Sequence, residues 1–409
     1  MRFTFTGLWK NHDFLRLWSG QTISALGTMI GGTAMSFTAI LFLEATHFQM
    51  GVLNAMQILP AVLAGLFAGA WVDRVRRRPL LIGADLGRAF VLASVPLTAL
   101  LGVLRIEQIY LVALLVGVLS ILFDVAYQSY LPALVKKDDL VEGNSKLTAS
   151  SAVAEFAGFS VGGWLVQALT APMAVLIDAF SFVASAAAIG SIRSREAEVV
   201  VEEHPDMRRE IIEGLRTVWH APLLRASALA VLLQGLTDGV YGGLVVLYMS
   251  RDLGFSPGVL SMTWAVGGIS AFIGATLAPR VSRRLGSGWA MGLGLMVCSI
   301  TAALIPLATG AALPALLLLI GAQFGDGFFV IYDINQVSLR QSIASERLLG
   351  RVNATIRFLG LGASLIGAVI GGLLGELLGV RWTLFIGAGA TLVAGLVLLG
   401  SPLRKYRQY

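Results

Sequence analysis

The chain has 409 residues, 56% hydrophobic and only 13% charged, against about a quarter charged in a soluble domain, which argues against a water-soluble enzyme. Thirty Lys and Arg against 24 Asp and Glu leave a net charge of +6. Such an excess fits nucleic acid, an anionic surface or the basic loops of a membrane protein, and its placement decides between them. A single cysteine, Cys298, and four histidines, His12, His47, His204 and His220, none paired at ligand spacing, offer no disulfide framework and no metal site.

A bilayer core about 30 Å thick needs about 20 apolar residues at 1.5 Å each. Segments of that length, bounded by charge, Pro or Gly, fall at 17–43, 50–72, 79–104, 109–134, 148–170, 172–192, 222–250, 255–279, 289–310, 312–339, 352–378 and 381–403. The first is too long for a signal-peptide core and has no Ala-x-Ala site after it, so it is expected to remain as a membrane span. The chain therefore predicts an all-α integral membrane protein of twelve transmembrane helices, with the divisions at Thr170-Ala171-Pro172 and between Gly310 and Pro314 the least marked.

With the N-terminus inside, 26 of the 30 basic residues fall on the inner face; Arg105, Arg251 and Arg381 fall outside, and Arg88 lies within the third span. Lys and Arg in short loops stay cytoplasmic, so both termini are expected in the cytoplasm, and the positive charge is explained without nucleic acid. The long hydrophilic connection, 193–221, separates an N-terminal half, 1–192, from a C-terminal half, 222–409. Within it Ile211, Ile212, Leu215 and Val218 recur at helical spacing. That pattern fits a helix on the inner membrane surface as well as a solvated linker helix.

An offset of 209 residues brings Arg16 onto Arg225, Asp124 onto Asp333, Ser129 onto Ser338, Asn144 onto Asn353 and Gly162-Gly163 onto Gly371-Gly372. This repeat predicts two pseudo-symmetric six-helix halves with a binding site between them near the midplane, a transporter design.

Between the second and third spans stand Gly69, Asp73, Arg74, Arg76, Arg77, Arg78 and Pro79. This loop resembles the Gly-x-x-x-Asp-Arg-x-Gly-Arg-Arg signature of the major facilitator superfamily, with Arg76 in place of the second Gly. The resemblance implies the major facilitator fold and an inner gate: Asp73 facing the start of helix 11, and Arg77 linking it to Asp124 in helix 4. A plain positive-inside anchor would explain the arginines but not Gly69 and Asp73 at this spacing. The second half keeps Gly274, Arg280, Arg283 and Arg284 but lacks the Asp. Span 5, with Ala154, Gly158, Phe159, Gly162 and Gly163, resembles the family's antiporter motif without its Pro. Small residues four apart also serve ordinary helix packing, a reading that Ala363, Gly367, Gly371 and Gly372 in span 11 favour. The runs Asp85 to Arg88 and Tyr130 to Asn144 look like the bacterial drug and siderophore exporter branch that includes macrolide efflux proteins.

A carboxylate in the membrane costs several kcal/mol unless paired, protonated or wetted. Asp85 and Arg88 are three apart and are expected to neutralise each other. Asp124 and Asp333, near Arg77 and Arg340, are assigned with Gly69, Asp73, Arg74 and Arg78 to gating. Glu376, near the outer end of its span, is expected to be inert. Glu155, Asp178, Asp238 and Asp326 remain as candidates for proton coupling or substrate binding. The family resemblance places helices 7 and 10, hence Asp238 and Asp326, on the central cavity; Gln234 and Gln323 precede them by four and three residues. A carboxyl in a partly dry cavity exchanges protons nearer neutral pH and can couple that exchange to transport. A buried acid satisfied by neighbouring hydroxyls is the alternative reading of each. Gln21, Asn54, Gln57, Tyr127, Gln128, Tyr241 and Tyr332 supply polar edges suited to a large amphipathic substrate.

The expected function is proton-coupled antiport exporting hydrophobic or cationic amphipathic compounds by alternating access, from the bacterial inner membrane, as a monomer. A lysophospholipid or siderophore transporter of the same superfamily is the alternative. No cofactor is expected: the chain has no Gly-x-x-x-x-Gly-Lys-Ser/Thr loop for ATP, so the proton gradient is the energy source, and an intramembrane enzyme would lack its nucleophile and metal ligands.

Overall fold

The computed structural model describes residues 7–64, 76–136, 139–194, 207–310 and 312–406. Every regular element among them is helical. In chain order they are α1 (His12–Phe37), α2 (His47–Ala64), α3 (Arg77–Leu100), α4 (Ile106–Leu134), α5 (Leu140–Leu169), α6 (Ala171–Gly190) and α7 (Met207–His220). Then follow α8 (Pro222–Leu247), α9 (Pro257–Leu285), α10 (Ser287–Ala302), α11 (Leu304–Leu307), α12 (Leu313–Gln323), α13 (Gly325–Ile343), α14 (Glu346–Leu378) and α15 (Val380–Gly400). Eleven spans among the described residues are long and apolar enough to cross a bilayer, and α2 is a further apolar helix. Large side chains such as Phe90, Phe180, Phe272 and Trp382 are mostly exposed, the inverse of a water-soluble surface and the natural state of a lipid-facing one.

The two least marked divisions are both real turns. The α5 helix ends at Leu169 and α6 begins at Ala171; α11 ends at Leu307 and α12 begins at Leu313.

The chain forms two compact units, one of residues 1–44 and 59–203, the other of residues 45–58 and 204–409. The start of α2 thus groups with the second unit although it lies early in the sequence. In the first unit α1 packs on α6 and α5, and α3 on α6 and α4; in the second α8 packs on α15 and α14, and α10 on α15 and α13. These are the same pairings displaced by one repeat. The backbone repeats as well: π-helical turns follow α1 (Thr38–Phe42) and α8 (Tyr248–Asp252). Positive-φ residues recur in pairs, Glu44 with Gly254, Gly102 with Gly310, and Thr170 with Gly379.

The first core gathers Phe14, Leu17, Leu81, Phe123, Tyr130 and Ile189. The second gathers Met291, Leu295, Tyr332, Leu339, Ala394 and Leu398. At the entry to α1, Asn11 Oδ1 accepts from the amides of Asp13 and Phe14, filling the role of an N-cap. Asp13 in turn accepts from the amides of Arg193 and Ser194, tying the end of the first unit's last helix to its first.

Candidate functional site

In the second unit, Gln234, Asp238 and Tyr241 lie on one face of α8, four and three residues apart. Gln234 Nε2 donates to Asp238 Oδ1 at 3.0 Å, and its Oε1 accepts from Thr391 Oγ1 at 3.2 Å. Thr237 donates to the Gly387 carbonyl, and Tyr241 to that of Leu384, so α8 is fixed to α15 by side chains on both sides of the carboxylate. Asp238 itself stays exposed. Its bond comes from a neutral amide, which orients the carboxylate without cancelling its charge.

Asp326 reaches the same part of the unit by a different device. The span from Leu313 to Ile343 is broken at Phe324, between α12 and α13. Ser270 of α9 repairs the break: its hydroxyl donates to the Phe324 carbonyl at 3.1 Å and accepts from the Gly327 amide at 3.1 Å. Asp326 therefore sits in the first turn of α13, beside a one-residue irregularity at which Phe324 keeps helical dihedrals, φ −66° and ψ −20°. Glycines at positions 267 and 274 of α9 admit this geometry. A Cβ at Gly267 would stand 2.7 Å from Gln323 Oε1 and overlap Asp326 Oδ2, and one at Gly274 would stand 2.6 Å from the Gly327 Cα.

Cys298 of α10 lies within electrostatic reach of both Asp238 and Asp326, and Tyr332 within reach of Asp238. The arrangement brings two exposed carboxylates, each with a glutamine beside it, a thiol and two phenols, Tyr241 and Tyr332, together in one unit. Asn54 is bonded there as well, donating to the Gly239 carbonyl at 2.9 Å, whereas Gln57 is exposed. Among the described residues no group of three or more His, Cys, Asp or Glu could hold a metal ion.

The first unit holds a different kind of cluster. Arg88 is ion-paired to Asp85, and its guanidinium lies 4.4 Å from the Phe123 ring centre and 4.0 Å from that of Phe182. Asp178 is buried, 3% exposed, against Gly27 and Gly31, with Ser181 donating to it at 3.3 Å. Asp124 is exposed and acts electrostatically on Arg88 and Tyr127. Gln21 Oε1 and Tyr127 Oη are buried without a hydrogen-bond partner. Glu155 is exposed on α5.

Of the gating residues, Gly69, Asp73 and Arg74 lie outside the described residues. Arg77 and Arg78 are half-buried at the start of α3, with Arg78 donating to the Gly190 carbonyl at 2.6 Å. Asp333 acts electrostatically on Arg340, which donates to Gln336 at 3.0 Å. The glycines of the small-residue motifs lie at helix contacts. Gly158 and Gly162 meet Met29 and Thr33 of α1; Gly367 and Gly371 meet Leu236 and Val240 of α8; Gly372 meets Gly51 of α2; Gly163 is buried.

The sequence does not single out Thr237, Thr391 or Ser270, since each is a small residue in an apolar run whose partners lie on other helices, and it marks Cys298 only as the single cysteine. Glu376 does have a role: its carboxylate accepts from the Phe48 amide at 3.1 Å and stands 4.0 Å from His47 Nδ1, so it caps the start of α2.

The family model of the Major Facilitator Superfamily matches residues 17–360 and 228–408. Among curated proteins, the chain is similar to the multidrug efflux pump Tap of Mycolicibacterium fortuitum, 27% identical with 84% of this chain and 85% of that one covered. It is also similar to the uncharacterized MFS-type transporter YfiS of Bacillus subtilis, 23% identical over 98% of this chain and 96% of that one. Among solved structures, nucleoside transporter NupG aligns with a TM-score of 0.79 at 13% identity, covering 95% and 99% of the two chains. A bacterial homologue of the iron transporter ferroportin in its inward-facing state aligns with a TM-score of 0.75 at 18% identity, covering 94% and 98%. At these identities the structures share the fold.

Proposed function

We propose that this chain, which belongs to the major facilitator superfamily and is a multi-pass membrane transporter rather than an enzyme, exports amphipathic organic cations in exchange for protons. The observation that carries this reading is the convergence of Asp238 and Asp326, two exposed carboxylates on separate helices, on the surroundings of Cys298. An ionised carboxylate flanked by neutral amides attracts a soft organic cation, and the half-buried ring of Tyr241 supplies a cation-binding face nearby. A proton and an organic cation compete for the same oxygens. When the site faces the side of higher proton concentration, protonation releases the cation; when it faces the other side, loss of the proton readies the carboxylate for the next cation. Exchange requires only that the loaded forms change sides and the empty ionised form does not.

The similarity to the Tap multidrug efflux pump supports this substrate class. Asp73, Arg77 and Asp124 are assigned to the inner gate, with Asp333 and Arg340 as their counterparts. The proton gradient supplies the energy, and the protein works as a monomer in the bacterial inner membrane with both termini cytoplasmic. Replacing Asp238 and Asp326 by Asn tests the assignment: gradient-driven transport falls while the fold is kept, and transport undiminished in both variants would refute it.

A further inference from the structure

One face of α7 is docked on the second unit and the other is not. Val218, 1% exposed, packs with Leu224, Val352 and Ile356. Gly214 is set so close to α14 that a Cβ would stand 2.9 Å from the Arg351 carbonyl oxygen, and Glu213 is ion-paired to Arg351. On the open side Ile212, Leu215 and Trp219 are 54%, 47% and 56% exposed. Spaced three and four apart, they form one stripe along the helix. Arg216 beside them is exposed, as is Arg225 in the first turn of α8. His220 is turned along the helix, with Nδ1 2.8 Å from the Arg216 carbonyl.

The depth of this helix follows from its anchors. The apolar span of α14 begins at Leu348, so Arg351 and Thr355, which contact Gly214, lie three and seven residues into it. That is about 4 Å and about 10 Å along the axis. At its other end, α7 stops at His220, and the span of α8 starts at Pro222. Both anchors hold α7 at the level where membrane spans end. An exposed stripe of Ile, Leu and Trp at that level meets the boundary between headgroups and acyl chains, where Trp is favoured and aliphatic area is removed from water.

We propose that α7 is an in-plane membrane-surface helix that binds the anionic phospholipid headgroups of the leaflet on the arginine-rich side of the protein. Ile212, Leu215 and Trp219 enter the headgroup boundary, and Arg216 and Arg225 face the phosphates. The occupant is an anionic lipid rather than a protein because the stripe sits beside two membrane spans and its flanking charge is positive. Through Glu213 and Arg351 the bound leaflet bears directly on α14, the helix that packs along α8.

The test uses the full-length protein with Cys298→Ser and a fluorescent label on Leu215→Cys, reconstituted in phosphatidylcholine nanodiscs with and without phosphatidylglycerol. A label on Lys405→Cys, an exposed site beyond the last span, is the aqueous reference. The label at position 215 is expected to be quenched several-fold more by brominated acyl chains, and less by iodide, than the label at 405. In unlabelled protein, phosphatidylglycerol is expected to raise the melting temperature. Arg216→Gln with Arg225→Gln is expected to shift the lipid titration midpoint upward by roughly 25-fold, since each Arg near an anionic surface contributes about fivefold. Iodide quenching at 215 equal to that at 405, or a phosphatidylglycerol effect unchanged in the double variant, overturns the proposal.

Discussion

Gln234 donates to Asp238 across one turn of α8, and the same glutamine accepts from Thr391 of α15. A transport carboxylate is thereby aimed by a neutral relay. Gln234→Leu removes the aim without removing the charge, so it is expected to weaken cation binding about tenfold, the value of a hydrogen bond to a charged group. A dye-binding titration in detergent checks this. Thr391→Val, one step further out, is expected to have the smaller effect of the two.

Cys298 is the chain's single cysteine and lies within reach of both carboxylates. Cys298 is half-buried, so its slow alkylation by a small maleimide, followed over hours, reports on the site without engineering. A cationic dye at saturating concentration is expected to slow labelling at least severalfold, measured by mass spectrometry of the intact protein. Asp238→Asn and Asp326→Asn are expected to reduce that protection.

Asp178 depends on glycine rather than on an ion pair of its own. A Cβ at Gly31 would stand 2.7 Å from both Cβ and Cγ of Asp178, whereas a Cβ at Gly83 meets nothing within 4 Å. Gly31→Ala is expected to destabilise the first unit by about 1–3 kcal/mol through overpacking. Gly83→Ala, in the interior of α3, is expected to stabilise it by about 0.5–1 kcal/mol. Thermal unfolding in detergent separates the two.

Thr170 and Gly379 occupy equivalent turns in the two units, with φ of 76° and 83° and ψ of 153° and 151°. Glycine adopts this region freely and threonine does so only under strain of about 1–3 kcal/mol. Thr170→Gly is accordingly expected to raise the melting temperature, and Gly379→Thr to lower it.

Relations within one helix were legible from sequence. Gln234 with Asp238 and Asp85 with Arg88 follow from helical spacing alone, and the breaks between the spans 148–170 and 172–192 and between 352–378 and 381–403 anticipated the turns at Thr170 and Gly379. Relations between helices were not. The Ser270 bridge across the broken span and the Thr391 bond to Gln234 join residues 54 to 157 positions apart, and no periodicity records which small polar residue will face which neighbour. The grouping of residues 45–58 with the second unit was likewise hidden, because it rests on close approaches of Gly51 to Gly372 and of Asn54 to Gly239. The function of Glu376 escaped for the same reason: its partners, Phe48 and His47, are more than 300 residues away.

Uptake of a fluorescent cationic dye into inside-out vesicles, driven by an imposed proton gradient, tests the central claim most directly. Accumulation that requires the gradient, collapses with a protonophore and is lost in Asp238→Asn is the predicted result. Dye accumulation indifferent to the gradient, or none across a panel of cationic dyes, would contradict it.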